Sequence, residues 1–151
     1  METAKRYRVV AWWSSGRTGL AKSNSAPNAI HFTAPPEFGG LEGRWTPEDL
    51  LLCAVASCYT TTFRALADYS RLEYSDLGVQ VEGTLRKVDS GYVFGEVVIR
   101  PKLTIPSEAE REQALRLLHK AKTLCPVSRA LSVDQRFEPQ VQVGANAEIR
   151  V

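Results

Sequence analysis

The sequence predicts an α+β fold, and three observations carry that expectation. Alternating or β-branched segments open the chain, fill its middle and close it, while two stretches with apolar residues every three or four positions lie between them. Clusters of glycine, proline, serine and asparagine punctuate the boundaries. At 151 residues the chain is long enough for one buried core, so a single domain over residues 1–151 is expected.

The elements follow in order. KRYRVVAWW reads as a strand that stops at SSGRTG, where Gly16 and Gly19 bracket a tight connection carrying Arg17. LAKSNS and NAIHFTA are weaker strands on either side of a break at Pro27–Asn28, and PPEFGGLEGR is an irregular loop. Thr46 then offers an N-cap, Pro47 a first helical residue, and Glu48 and Asp49 acids for the first turn. Leu51, Ala54, Val55, Cys58, Thr62, Ala65, Leu66 and Tyr69 trace one face of that long helix. LGVQVEGTLRKV alternates as a half-buried strand, Asp89-Ser90-Gly91 turns, and YVFGEVVIRPKLTI returns as its hairpin partner, with Pro101 marking an edge or a bulge. A second helix opens with Ser107 and Glu110 at capping-box spacing and presents Ala114, Leu117, Leu118, Ala121, Leu124 and Cys125. Pro126 stops it, or lets Cys125 cap a new helical turn. LSVDQRFEPQVQVGANAEIRV closes the chain as one or two short strands.

Composition excludes some functions. Hydrophobic residues make up 44% and charged residues 24%, ordinary for a globular chain, and the net charge is only +2 with both signs interleaved. No basic stripe marks a nucleic-acid surface. No apolar run approaches the ~18 residues of a membrane span, and the N-terminal stretch has no secretory apolar region. A cytoplasmic protein, with no membrane partner, is expected. Its three cysteines are an odd number for a structural disulfide framework.

Those thiols admit three readings. Free cysteine is most often packing material, and from periodicity alone that is the ordinary role for each. Cys53 and Cys58 point about 140° apart around their helix, so they cannot bridge within it. Cys53, Cys58, His119 and Cys125 are zinc-type ligands, but the spacing lacks the short two-to-four-residue pairing of a zinc loop, and no metal or other cofactor is expected. His119 reads as a surface or helix-end residue, Trp12 and Trp13 as strand core and interface. Glu48 alone favours the helix dipole, a role Asp49 shares, and Arg17 alone is a solvated turn residue.

TPEDLLLCAVASC followed by LCPVSRAL, with SSGRTG and APPEFGG upstream, resembles the OsmC/Ohr family of osmotically inducible and organic hydroperoxide resistance proteins. The resemblance spans nearly the whole chain in the family's order. It implies an OsmC-like fold, antiparallel sheets around a long central helix in an intertwined homodimer, and a cysteine-based peroxidase. On that resemblance Cys58 is the peroxidatic thiol, Cys125 the resolving thiol, Arg17 the arginine beside the reactive sulfur, and Glu48 the glutamate that orients it. An external dithiol, of lipoyl type, would reduce the resulting Cys58–Cys125 disulfide, and an organic hydroperoxide would be the substrate. Val127 stands where the hydroperoxide-resistance branch has tyrosine, so the likeness is closer to the general OsmC-like branch.

The chemistry is consistent with those roles. Thiolate attack breaks a hydroperoxide O–O bond, and an ordinary thiol with a pKa of ~8.5 is mostly protonated at neutral pH. Cys58 lies mid-helix, out of reach of a helix N-terminus, so a permanent cation such as Arg17 must favour its thiolate. Glu48 sits ten residues before Cys58, about 15 Å along the axis, which places a glutamate-held arginine beyond that thiol's reach from the same helix end. A site shared between two chains across a two-fold axis is therefore expected. The competing readings are a thiol–disulfide or electrophile-handling protein and a stress-associated ligand-binding module, each on the same scaffold.

Overall fold

The computed structural model describes residues 3–144, and the alternating tail beyond Gly144 lies outside them. The chain divides into two compact units, Met1–Leu51 and Leu52–Val151, with the division inside a continuous helix.

In the first unit, β1 (Val9–Ser15), β2 (Thr18–Ser23) and β3 (Ala26–Thr33) form an antiparallel meander in the order β1-β2-β3. Gly16, at φ 52°, makes the first turn, a left-handed conformation that favours glycine. The second reversal falls at Asn24–Ser25, where the Ser23 and Ser25 hydroxyls hydrogen-bond at 2.9 Å, and not at Pro27–Asn28. Pro27 is instead accommodated inside β3, an outer strand of this sheet, where a missing N–H need cost no ladder bond. Trp12 and Trp13 are 46% and 72% exposed, so they are not strand core in the single chain. No apolar side chain among the described residues before Thr46 is buried, and β1 is exposed along its whole length.

The long helix α1 runs Pro47–Ser70, as its cap predicts. Thr46 Oγ1 accepts from the Asp49 N–H at 3.0 Å, while the Asp49 carboxylate accepts from the Thr46 N–H at 3.0 Å and its hydroxyl at 2.9 Å. Asp49 thus closes a reciprocal capping box and leaves Glu48 out of it. The buried stripe of α1 is Val55, Tyr59, Phe63 and Ala67. This corrects the expected face by one position, about 100° of helical rotation. The periodicity gave weight to Ala54, Cys58, Thr62 and Ala65, whereas burial follows the two large aromatic side chains. Cys58 lies on the half-buried flank, and Tyr69 is 90% exposed. By length and composition α1 also meets the requirement for a membrane span, but that stripe packs into the protein's core.

In the second unit, β4 (Asp76–Val88) and β5 (Gly91–Ile105) form a long hairpin with a bulge between Thr84 and Leu85. Ser107 caps a short 3-10 turn by accepting from the Ala109 N–H at 3.3 Å, and α2 (Arg111–Leu124) follows; Glu110 closes no capping box. Cys125 then leads into α3 (Pro126–Arg129), a single turn. β6 (Gln135–Phe137) and β7 (Gln140–Val143) run parallel to β5 on its far side. Val97, Ile99, Leu103 and Ile105 of β5 face the buried stripes of α1 and α2, where Ala114, Leu117, Leu118 and Ala121 complete the core. Leu124 is 41% exposed and outside it.

Pro101 corrects another expectation, since β5 is central and not an edge. The Val97 N–H bonds to Asp134, and the Ile99 and Ile105 carbonyls accept from Glu138 and Gly144, so odd residues of β5 direct their polar groups toward β6 and β7. The missing N–H of Pro101 therefore falls at the gap between those two short strands.

Candidate active site

Sixty-seven positions separate Cys58 from Cys125, yet the second unit brings the two thiols close enough to interact electrostatically. All three cysteines are free; Cys53 is exposed, Cys58 half-buried and Cys125 fully buried. α1 delivers Cys58, and the α2–α3 junction delivers Cys125, whose extended backbone (φ −62°, ψ 111°) reflects the following proline. Cys125 accordingly sits between the two helices and not on the face of α2.

Their electrostatics differ. Burial pushes the Cys58 thiol up, and a hydrogen bond and charge at Cys125 push it further; the Val127 N–H and the Thr62 hydroxyl, 3.9 Å away, oppose this without reversing it. Burial also acts to raise Cys125, but the Ser128 N–H, the Cys58 thiol, the Ser128 hydroxyl and the Val127 N–H outweigh it and leave Cys125 below the ordinary thiol range. Within one chain, Cys125 is thus the better-stabilised thiolate, favoured by its hydrogen-bond donors despite burial, and Cys58 its proton-bearing donor. The two titrate as a pair. Beside them Tyr59 donates to the Leu118 carbonyl at 2.8 Å, and burial first, then proximity to Cys125, holds its hydroxyl protonated far into the alkaline range.

Arg17 and Glu48 belong to the first unit. Arg17 sits at the exposed β1–β2 turn, where its Nη1 donates to the Phe38 carbonyl at 2.9 Å. Its stem lies against Gly39, where a Cβ would approach Cδ and Nε to 3.4 Å. Glu48, in the first turn of α1, is half-buried, and its Oε1 is fully buried with no hydrogen-bond partner among the described residues. His119 is exposed on α2 and edges onto Phe137 at 5.1 Å between ring centroids. Among the described residues no group of three or more His, Cys, Asp or Glu converges as a ligand set. A surface groove of about 550 Å³ lined by Arg100, Lys102 and Glu138 opens between β4 and β7 and includes neither thiol.

Sequence reasoning did not single out Tyr59, Ser128 or the Val127 N–H. Tyr59 had a signal in the four-residue spacing of Val55, Tyr59, Phe63 and Ala67, and Ser128 in its position three residues after Cys125. The Val127 donor is backbone, which no residue type announces.

Residues 40–138 match the family described as OsmC-like protein. The uncharacterized protein YmaD of Bacillus subtilis is 27% identical over 91% of this chain and 95% of its own length. Peroxiredoxin OsmC of Escherichia coli is 23% identical over 84% of this chain and 87% of its own. A crystal structure from Legionella pneumophila, described as an organic hydroperoxide resistance protein OsmC and predicted redox protein, superposes with a TM-score of 0.73 at 23% identity, over 94% of this chain and all of that one.

Proposed function

The chain belongs to the OsmC-like family, and from that premise we propose that it is a cysteine-based peroxidase for organic hydroperoxides, working in the cytoplasm as a homodimer with shared sites. The observation that carries this reading is the interaction of Cys58 and Cys125, two thiols from distant segments, the first half-buried and the second fully buried. The Cys58 thiolate attacks the terminal peroxide oxygen; the O–O bond breaks, the alkoxide takes a proton and leaves as an alcohol, and Cys58 becomes a sulfenic acid. Cys125 then attacks the Cys58 sulfur, forming the disulfide and releasing water. An external dithiol of lipoyl type reduces that disulfide to two thiols and is itself oxidised.

Cys125 resides where a resolving thiolate is needed, held by Val127 and Ser128 donors. Cys58, raised by burial and by its neighbour, needs a cation to attack at neutral pH. Arg17 of the second copy supplies it, and Glu48 of that copy orients the guanidinium. The buried, unpartnered Oε1 of Glu48 supports this, because a buried acceptor without a donor costs about 1–3 kcal/mol unless something pairs with it.

Stopped-flow consumption of cumene hydroperoxide by the reduced protein tests the proposal. Cys58→Ser is expected to be inactive, and Cys125→Ser to react once and stall as a sulfenic acid that dimedone traps. Equal, slow consumption by wild type and both variants would leave a ligand-binding or thiol–disulfide module instead.

A further inference from the structure

Strand β6 is three residues long, yet it touches both cysteine-bearing segments. Gln135 pairs in register with Val97 and Phe137 with Ile99, and those β5 residues face the helices, so Gln135 and Phe137 do as well. The Phe137 ring lies 5.9 Å from that of Tyr59, the residue after Cys58. Gln135 Nε2 donates to the Ser128 carbonyl at 2.9 Å and reaches the Leu131 carbonyl at 3.5 Å. Two carbonyl acceptors fix which end of the amide faces them. Its Oε1 is left buried and without a partner among the described residues. An orphaned buried acceptor is destabilising, and an apolar side chain of similar length would fill the place without it. The residue that Gln135 holds is Ser128, whose hydroxyl donates to the Cys125 carbonyl at 3.3 Å and whose N–H favours the Cys125 thiolate.

We propose that Gln135 is a positioning residue for the resolving thiol: its amide clamps the Pro126–Arg129 turn so that the Val127 and Ser128 donors stay aimed at Cys125 Sγ, while Phe137 on the same strand braces the neighbour of Cys58. The inference deepens the peroxidase reading and rests on it for one step, in which the Cys58 sulfenic acid and the Cys125 thiol give a disulfide and water.

The clamp is tested without peroxide in a Cys58→Ser background, by following the pH midpoint of iodoacetamide alkylation at Cys125 by mass spectrometry. Adding Gln135→Met is expected to raise that midpoint by about one unit, the scale of a weakened hydrogen bond to a thiolate. Gln135→Glu, nearly isosteric, is the second variant should the methionine fail to fold; it faces the carbonyls with a carboxylate and is expected to raise the midpoint too. A purely structural role would lower the melting temperature and leave the midpoint in place, and an unmoved midpoint in a folded variant overturns the proposal. With both thiols present, Gln135→Met is expected to slow disulfide formation from the sulfenic acid roughly tenfold while the sulfenic acid forms at the wild-type rate. Equal slowing of the two steps would also overturn it. A wild-type protein inert to peroxide would defeat the peroxidase reading, whereas the alkylation midpoint would still decide the clamp.

Discussion

At the level of single residues, the pair of thiols is asymmetric because their donors are asymmetric. Cys125 keeps the Ser128 and Val127 donors whatever happens to Cys58, while Cys58 has only one backbone N–H and a long contact to Thr62 against burial and a neighbouring charge. A lowered pKa means a thiolate that persists to lower pH, and a raised one means a thiolate that appears only at higher pH. In Cys125→Ser the neighbouring negative charge is gone, so Cys58 is expected to titrate at lower pH than the second step of the wild-type pair. In Cys58→Ser, Cys125 is expected to stay below the ordinary thiol range. Ultraviolet thiolate absorbance against pH reads both, and a Cys58 midpoint indifferent to Cys125 would show that the two sulfurs do not interact. The cysteines were legible in the sequence as residue types at telling positions. Their order of ionisation was not, because it depends on backbone N–H groups that every residue but proline owns.

For whole elements, the boundaries of α1 were readable because they are local. Thr46, Pro47 and Asp49 act on one another across three residues, and the helix begins where they say. Thr46→Ala is therefore expected to destabilise the fold by about 1 kcal/mol, the ordinary value of a lost N-cap, read as a lower denaturant midpoint with an unchanged slope. The buried face of the same helix was harder to read, since it is decided by what packs against it. Tyr59 and Phe63 are fully buried against β5 and α2 because they are large, while small Ala54 and Cys58 fall beside them. Phe63→Ala is expected to cost about 3–5 kcal/mol and Ala65→Ser well under 1, by the same denaturation experiment. Equal effects at the two positions would return the core to the face the periodicity drew. Pro101 carries a similar lesson: a proline in a strand reads as an edge until the partner on its N–H side is known to be two short strands with a gap between them.

At the scale of the whole molecule, the first unit poses a problem that the second does not. Its sheet buries threonines but no apolar side chain, and Val9, Trp13 and Trp45 stand 66%, 72% and 51% exposed. Apolar area of that extent ordinarily marks a surface covered by another chain. The proposed homodimer would cover it, and would also join a cation-bearing first unit to a thiol-bearing second unit from the other copy. That arrangement makes a quantitative prediction. Arg17→Ala is expected to lower peroxide consumption about a hundredfold, the scale of removing a preorganised charge, and Cys58→Ser to abolish it. Refolding the two variants together would give heterodimers in which one site has both residues intact and the other has neither. Random pairing would then restore roughly a quarter of the wild-type rate, since half of the dimers would be mixed and each would carry one working site. Sites built within one chain would show no recovery at all, because every chain in the mixture lacks one of the two groups. Activity against protein concentration adds an independent check: a shared site loses activity as the dimer dissociates, and a fully active monomer would end the proposal.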